Sequence, residues 1–262
     1  MNPRPPVNMP FSVVIPARYA SSRFPGKPLA DIAGKPMVVR VASQAIKSGA
    51  REVIVATDHP EIARVVKAHG FEVMMTRLDH ATGTDRLAEV AAKRRFGVRH
   101  VVVNVQGDEP LIPPALIRSV AASLTAHPSA AIATACYPIK TAAEFANSNV
   151  VKVVLDKAGY ALYFSRAPIP YARDAFANGI HQLPPDLPAY RHLGIYAYRC
   201  GFLNIFNKMR PVFIEKFEAL EQLRAMAYGH RISVAITRSA PHPGVDTPAD
   251  LARILGHYQR QR

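Results

Sequence analysis

Apolar and polar positions along the chain fall into blocks that switch between a strand period and a helix period. Ser12, Val13, Val14 and Ile15 form a short apolar run ended by Pro16, which predicts a buried strand. A long polar loop is expected over 17–35. A helix is expected over 36–46, closed near Gly49. Positions 52–56 read as the next strand. Asp58 and Glu61 flank Pro60 in the manner of a capping box, so a helix should run to His69 with Gly70 after it. The same logic predicts a strand over 71–74, a helix over 84–96, a strand over 101–105, a helix over 113–126 and a strand over 130–136. The run from Val101 to Val105 is the strongest buried-strand signal of the chain.

This alternation predicts an α/β fold, a Rossmann-like and mostly parallel sheet with helices on both faces. Ligands of such sheets lie beyond the carboxyl ends of the strands, which directs attention to the loops after Ile15 and after Val105. The middle third changes character. Positions 150–155 and 160–164, separated by Gly159, predict a β-hairpin. The segment 167–190 carries Pro168, Pro170, Pro184, Pro185 and Pro188 and reads as a loop or lid. A strand over 193–198 follows. A single helix is expected over 215–228, with Phe217, Leu220 and Leu223 on its apolar side. A strand over 231–236 and a last helix over 248–258 complete the pattern. No internal repeat or low-complexity tract interrupts it.

Composition narrows the class. The 262 residues suit one large domain or two small ones, and 49% hydrophobic against 20% charged residues excludes an intrinsically disordered chain. No stretch approaches the roughly 18 uncharged apolar residues of a membrane helix, so a soluble protein with no membrane partner is expected. Cys136 and Cys200 have neither a disulfide framework nor metal-ligand spacing. The N-terminus lacks the apolar core of a signal peptide and reads as a disordered tail over 1–10, which makes a cytoplasmic location the expectation.

The formal charge of +14 admits nucleic acid, an anionic membrane or small anionic substrates as partners. Its distribution favours the last. The one run of three cations, Lys93-Arg94-Arg95, lies near a helix end, where cations complement the dipole. No zinc-finger spacing or ribonucleoprotein aromatic motif accompanies it, so nucleic acid is not expected as a partner. A basic nucleic-acid-binding protein stays as the alternative from another class.

Three constellations carry chemistry. Directly after the first strand, Arg18, Arg23 and Lys27 share a loop with small residues and Gly26, a composition suited to a phosphate cradle. It is not a Walker A loop, because Pro28 stands where Ser or Thr would be, and a solvated basic loop is the rival explanation. In the second, the strand ending at Val105 delivers Asp108 to its carboxyl end, as a hard cation such as Mg²⁺ requires. Gln106 there has donors and an acceptor for a base or sugar edge. Gly107-Asp108-Glu109-Pro110 is also good turn composition. In the third, Asp246 could cap the last helix, but Thr247, with Pro248 and Asp250, fills that role better. Asp246 is then free to face the metal held by Asp108. Weaker signals are Arg166, His192, Glu221 and Gln222. An Arg can clamp a carboxylate and a His can hydrogen-bond a sugar hydroxyl, but a surface ion pair or a satisfied polar residue is the better explanation of each taken alone.

Together these motifs resemble the family of the 3-deoxy-manno-octulosonate (Kdo) cytidylyltransferases, the CMP-Kdo synthetases, from about Phe11 to His257. The matching segments are IPARYASSRFPGKPL, VATDHPEIA, GTDRLAE, VNVQGDEPLI, VKVVLD, GYALYFSRAPIPY, RHLGIYAYR, LEQLR and GVDTPADL, in that order. The resemblance implies a nucleotide-diphospho-sugar transferase type of sheet, forming one domain over 11–262. A smaller β-rich substrate and dimerisation subdomain is implied at about 137–200. It implies a Mg²⁺-dependent, cytoplasmic homodimer that converts CTP and Kdo to CMP-Kdo and diphosphate for lipopolysaccharide synthesis. Carried over by motif, Arg18, Arg23 and Lys27 would meet the CTP phosphates, and Thr82, Gly83 and Gln106 would help recognise the nucleotide. Asp108 and Asp246 would hold Mg²⁺. Arg166, His192, Glu221 and Gln222 would bind Kdo. The nearest enzyme alternative, a CMP-sialic acid synthetase, usually has a different first loop. Two departures stand out: Phe24 where the family usually has Leu, and Val212-Phe213-Ile214 before the Glu215 helix.

Overall fold

The computed structural model describes residues 10–20, 24–80, 82–238 and 240–260. The tail expected over 1–10 falls outside them except for Pro10, and Arg23 lies outside them as well. The predicted alternation is realised as β1 (Phe11–Ala17), β2 (Asp31–Ile32), β3 (Lys35–Pro36), α1 (Met37–Lys47), β4 (Glu52–Thr57), α2 (Pro60–Ala68), β5 (Glu72–Met75), α3 (Gly83–Lys93), β6 (Val101–Asn104), α4 (Pro114–Ala126) and β7 (Ala130–Pro138). The second half adds α5 (Ala142–Ala146), β8 (Lys152–Leu155), β9 (Ala161–Ser165), β10 (Tyr190–Arg199), α6 (Cys200–Phe206), α7 (Phe213–Glu218), α8 (Gln222–Ala227), β11 (Arg231–Ile236) and α9 (Pro248–Gln259).

The main sheet runs β11-β7-β10-β6-β1-β4-β5, with the β8–β9 hairpin attached to β10. The pairs β1–β4, β1–β6, β4–β5 and β7–β11 are parallel. Strand β10 is antiparallel to both β6 and β7. Apolar side chains cover both faces: Val13, Ile15, Val55, Val103 and Ile117 pack in one layer, and Val14, Ile54, Leu87, Val102 and Leu203 in the other. That is why the parallel strands read as continuous apolar runs.

Several elements differ from expectation for local reasons. Strand β1 does not stop at Pro16 but continues to Ala17. It stays paired with β4 there, while its pairing with β6 has already ended at Val14, so Pro16 meets no ladder on that side. Among its described residues, the loop expected over 17–35 contains a 3₁₀ turn at Lys27–Leu29 and the β2–β3 hairpin. The side chain of His59, not Asp58, caps α2 by accepting from Glu61 N at 3.3 Å. Asp58 instead pairs with the fully buried Arg86 at 2.7 Å.

The helix expected over 215–228 is two helices. Ala219 adopts a left-handed conformation (φ 51°) and ends α7, and α8 restarts at Gln222. The break turns both acids of α7 inward. Glu215 pairs with Arg224, and Glu218 accepts from Ser165 Oγ at 2.5 Å and Arg166 N at 2.8 Å. Leu220 and Leu223 are buried as expected, but Phe217 is 87% exposed, with Phe213 also outward. Helices α5 and α6 were not expected: α5 is five residues long, and α6 begins directly at the end of β10 with no intervening turn.

Segment 167–189 is free of regular helix and strand, as its prolines require, and packs Phe176 and Ala189 against Phe145 and Val150. Both cysteines are free and buried, and burial pushes each thiol up to about 12.

Candidate active site

Four segments converge beyond the carboxyl ends of β1 and β6 to enclose a cleft of about 350 Å³ lined by Arg18, Lys27, Gly83, Gln106, Asp108 and Asp246. The chain approaches itself closely here. A Cβ on Gly107 would lie 2.7 Å from the Pro16 carbonyl oxygen, so only glycine lets the turn after β6 rest on the end of β1. Gly26, at φ 69°, donates its N–H to the Tyr19 carbonyl at 3.1 Å and starts the 3₁₀ turn that carries Lys27 inward.

Lys27 is the centre of the cleft. Its Nζ lies 2.6 Å from Asp108 Oδ2 and 3.3 Å from Asp246 Oδ1. Val245 N donates to the Asp108 carbonyl at 2.8 Å, which holds the two aspartate-bearing segments together. The competition over Asp246 resolves as the sequence pattern expects. Thr247 Oγ1 accepts from Asp250 N at 3.3 Å, and Asp250 Oδ2 accepts from Thr247 N at 2.9 Å. That reciprocal pair caps α9 and leaves the Asp246 carboxylate turned to Lys27. Arg18 lines the same wall and makes no ion pair with the described residues. Burial, reinforced by the neighbouring Asp108 charge, pushes the Glu109 carboxyl up to about 7.

Among the described residues no group of three His, Cys, Asp or Glu side chains is close enough to form a protein-only metal cage. The donor set suits Mg²⁺ nonetheless. That ion takes one or two carboxylates and completes its shell with water and substrate phosphate oxygens, and Asp108 and Asp246 already face one common cation.

Helix α3 closes one side of the cleft. Thr82 caps it, accepting from Asp85 N at 3.2 Å, while Asp85 Oδ2 accepts from Thr82 N at 2.9 Å and Thr82 Oγ1 at 3.0 Å. The Thr82 hydroxyl is therefore engaged in the cap, and Gly83 is the residue of the pair that lines the cleft. The next residue, Thr84, donates to Glu221 Oε2 at 2.9 Å. This bond joins the charged cleft to a second, more buried polar cluster.

That cluster brings together the expected sugar-binding residues from β9, β10 and the start of α8. Arg166 is oriented by backbone oxygens: Nε donates to the Glu218 carbonyl at 2.6 Å and Nη1 to the Ser148 carbonyl at 3.1 Å. Buried Lys152 braces the same turn by donating to the carbonyls of Asn147, Val150 and Arg166 at 3.0, 2.7 and 2.5 Å. His192 packs edge-on against Phe164, and its burial lowers the imidazole pKa to about 3, so it is neutral. Its Nε2 lies 2.9 Å from Thr134 Oγ1, and that hydroxyl donates to a backbone carbonyl, Ile195 O at 2.8 Å. The Thr134 oxygen therefore accepts from Nε2–H, and the lone pair of the ring is on Nδ1. Burial raises the Glu221 carboxyl pKa above its usual value. Gln222 is buried, and its Nε2 has no hydrogen-bond partner among the described residues.

Sequence reasoning missed the supports: Thr84, Thr134, Lys152, Glu218 and the Arg86–Asp58 pair. Each stands in a segment that read as a helix, a strand or, for Asp58, a cap, and none of those readings gave its side chain a task in the site.

A family model described as cytidylyltransferase matches residues 12–232. Among solved structures, CMP:2-keto-3-deoxy-manno-octonic acid synthetase complexed with CTP superposes with a TM-score of 0.87. It is 42% identical, and the match covers 97% of this chain and 100% of that one.

Proposed function

The chain belongs to the cytidylyltransferase family, and we propose that it joins CTP to the acid sugar Kdo, forming CMP-Kdo and diphosphate for lipopolysaccharide assembly. The observation that carries this reading is the junction at the first turn of α3. There Gly83 faces the charged cleft and Thr84 holds Glu221 of the buried polar cluster at 2.9 Å. A triphosphate in the cleft and a sugar acid in the cluster would meet at that turn.

The Kdo hydroxyl on the anomeric carbon attacks the α-phosphorus of CTP in line, the α-phosphorus to bridging-oxygen bond breaks, and diphosphate leaves. The hydroxyl proton passes to solvent. Such chemistry needs positioning and charge neutralisation rather than a covalent nucleophile. Arg18 and Lys27 offset phosphate charge, and Gln106 presents its amide to the nucleotide. Arg166 offers a guanidinium to the sugar carboxylate, reducing repulsion between two anions. Neutral His192 accepts from a sugar hydroxyl, and Glu221 and Gln222 order the same substrate. Asp108 and Asp246 would hold Mg²⁺, which when bound neutralises charge on the triphosphate oxygens. The reading places the enzyme in the cytoplasm, and no helix of the described residues is long and apolar enough to cross a membrane. It also takes the enzyme as a homodimer.

Diphosphate release is the test. CTP, Mg²⁺ and Kdo should give turnover far above reactions with ATP, GTP or UTP in place of CTP, or with sialic acid in place of Kdo. No release above background with CTP and Kdo overturns the reading.

A further inference from the structure

Another cavity, of about 420 Å³, shares no lining residue with the charged cleft. One wall is a stripe of α1. Arg40, Ser43, Gln44 and Lys47 recur at the three- and four-residue spacing that places side chains on one helix face. The segment 111–114 supplies an apolar wall of two aliphatic residues and two prolines, and His242, His257 and Tyr258 complete the lining.

The permanent charge of this lining is of one sign. It holds Arg40 and Lys47 and, among the described residues, no Asp or Glu. The Arg40 guanidinium is fixed in place. Its Nε and Nη2 donate to the Ile32 carbonyl at 3.0 and 2.8 Å, Nη2 donates to the Ala33 carbonyl at 2.7 Å, and Cζ lies 4.6 Å from the centre of the Tyr258 ring. Those contacts leave Nη1 without a partner among the described residues, and the Gln44 amide and the Lys47 ammonium have none either. A forked guanidinium beside an ammonium and an amide suits the several oxygens of a phosphoryl group. A lone phosphate would leave most of the volume empty and the apolar wall uncovered, so the fitting ligand carries its phosphoryl group on an organic body.

The walls lead to both metal-facing acids. Segment 111–114 begins three positions after Asp108, and His242 stands four positions before Asp246. The His242 ring meets the His257 ring of α9 at 4.7 Å, and Tyr258 Oη donates to the Pro110 carbonyl at 3.4 Å. Val245 N, donating to the Asp108 carbonyl at 2.8 Å, links the two segments. We propose that this cavity binds a small organic phosphate, and that its occupancy alters turnover in the charged cleft through the segments that carry Asp108 and Asp246. The binding stands on the cavity alone, whereas the effect on turnover rests on the cytidylyltransferase reading given above.

Isothermal titration calorimetry with phenyl phosphate as the probe tests the site, on enzyme saturated with CTP and Mg²⁺ and without Kdo. A probe of this size should bind with a Kd of about 1 mM while CTP fills the cleft. Inorganic phosphate and benzyl alcohol, each lacking one half of the probe, should bind more weakly. Gln44→Glu combined with Lys47→Glu should weaken the probe at least about tenfold. Both positions lie outside the cleft, so kcat and the melting temperature without the probe should match wild type. In the diphosphate-release assay the probe should change kcat or KM for CTP at least about twofold in wild type and leave the double variant unaffected. Loss of binding under saturating CTP, equal binding by the double variant, or a control that binds as well as the probe overturns the site. Binding with kcat and KM unchanged overturns the link to the cleft. If the double variant does not fold, Lys47→Met is judged by the same criteria. Failure of the underlying reading shows instead as absent diphosphate release without the probe.

Discussion

The two halves of the site solve opposite electrostatic problems. The cleft at the ends of β1 and β6 is open and charged, with Lys27 between Asp108 and Asp246 and Arg18 beside them. Every one of those charges has solvent or an opposite charge nearby, so it needs little further support. The cluster around Arg166, His192, Glu221 and Gln222 lies deeper, with Gln222 buried and the other three half-buried. There the imidazole is held neutral, the Glu221 carboxyl is shifted toward its neutral form, and the guanidinium is aimed by backbone carbonyls. An open site can be assembled from one short motif per segment. A deeper one needs partners from several elements, because each buried polar group must be oriented or it destabilises the fold.

The largest effect that would break this contrast comes from the metal-facing carboxylates. Asp108→Asn and Asp246→Asn should each lower kcat by about 10²- to 10³-fold. The melting temperature should stay close to wild type, because the cap of α9 is made by Thr247 and Asp250. If Asp246→Asn keeps activity and only melts earlier, its role is in the helix start and not in the cleft.

Glu218→Gln probes the deeper side through a residue that touches Arg166 only by hydrogen bonds. It should raise KM for Kdo by about tenfold while leaving KM for CTP alone, a split that uniform loss of folded protein would not produce. Thr84→Val cuts the bond that joins the two halves, 2.9 Å from Glu221. A severalfold fall in kcat is expected, read in single-turnover experiments with both substrates saturating.

The last effect is in stability against pH, and it is small near neutral pH, where the imidazole is neutral in both the folded and the unfolded chain. His192 has a folded pKa of about 3 against a usual 6.5, so below 6.5 the unfolded chain takes up a proton that the folded one refuses. Its contribution is fully present above about pH 6.5 and erodes as pH falls toward 3. Melting curves across that range should fall less steeply for His192→Gln than for wild type, and parallel curves would show that the imidazole is not held neutral by the fold.

The Asp246 question shows how much of the site was legible in the chain. Thr247, Pro248 and Asp250 state a helix start so completely that Asp246 was left without a local task, and the structure turns it to Lys27. The same kind of reading failed at α7 and α8. Their apolar spacing suggested one helix, but Glu215 and Glu218 have partners 9 and more than 50 positions away, in Arg224 and in Ser165 and Arg166. Those long-range pairs favour two short helices with Ala219 in a left-handed turn between them, and no local propensity records them.

Sequence alone determined the parallel strands, the helices between them and the residues that stand just past each strand end. All of these follow from periods and caps that act within a few positions. The tertiary structure decided which of those strand ends meet. It put Gly107 against Pro16, aimed Arg166 with Glu218 and Ser148, and fixed the protonated nitrogen of His192 through Thr134. The reason is physical: a cap or a hydrophobic period is satisfied by neighbours in the chain, whereas a buried polar group is satisfied by whatever the packing brings within hydrogen-bonding distance.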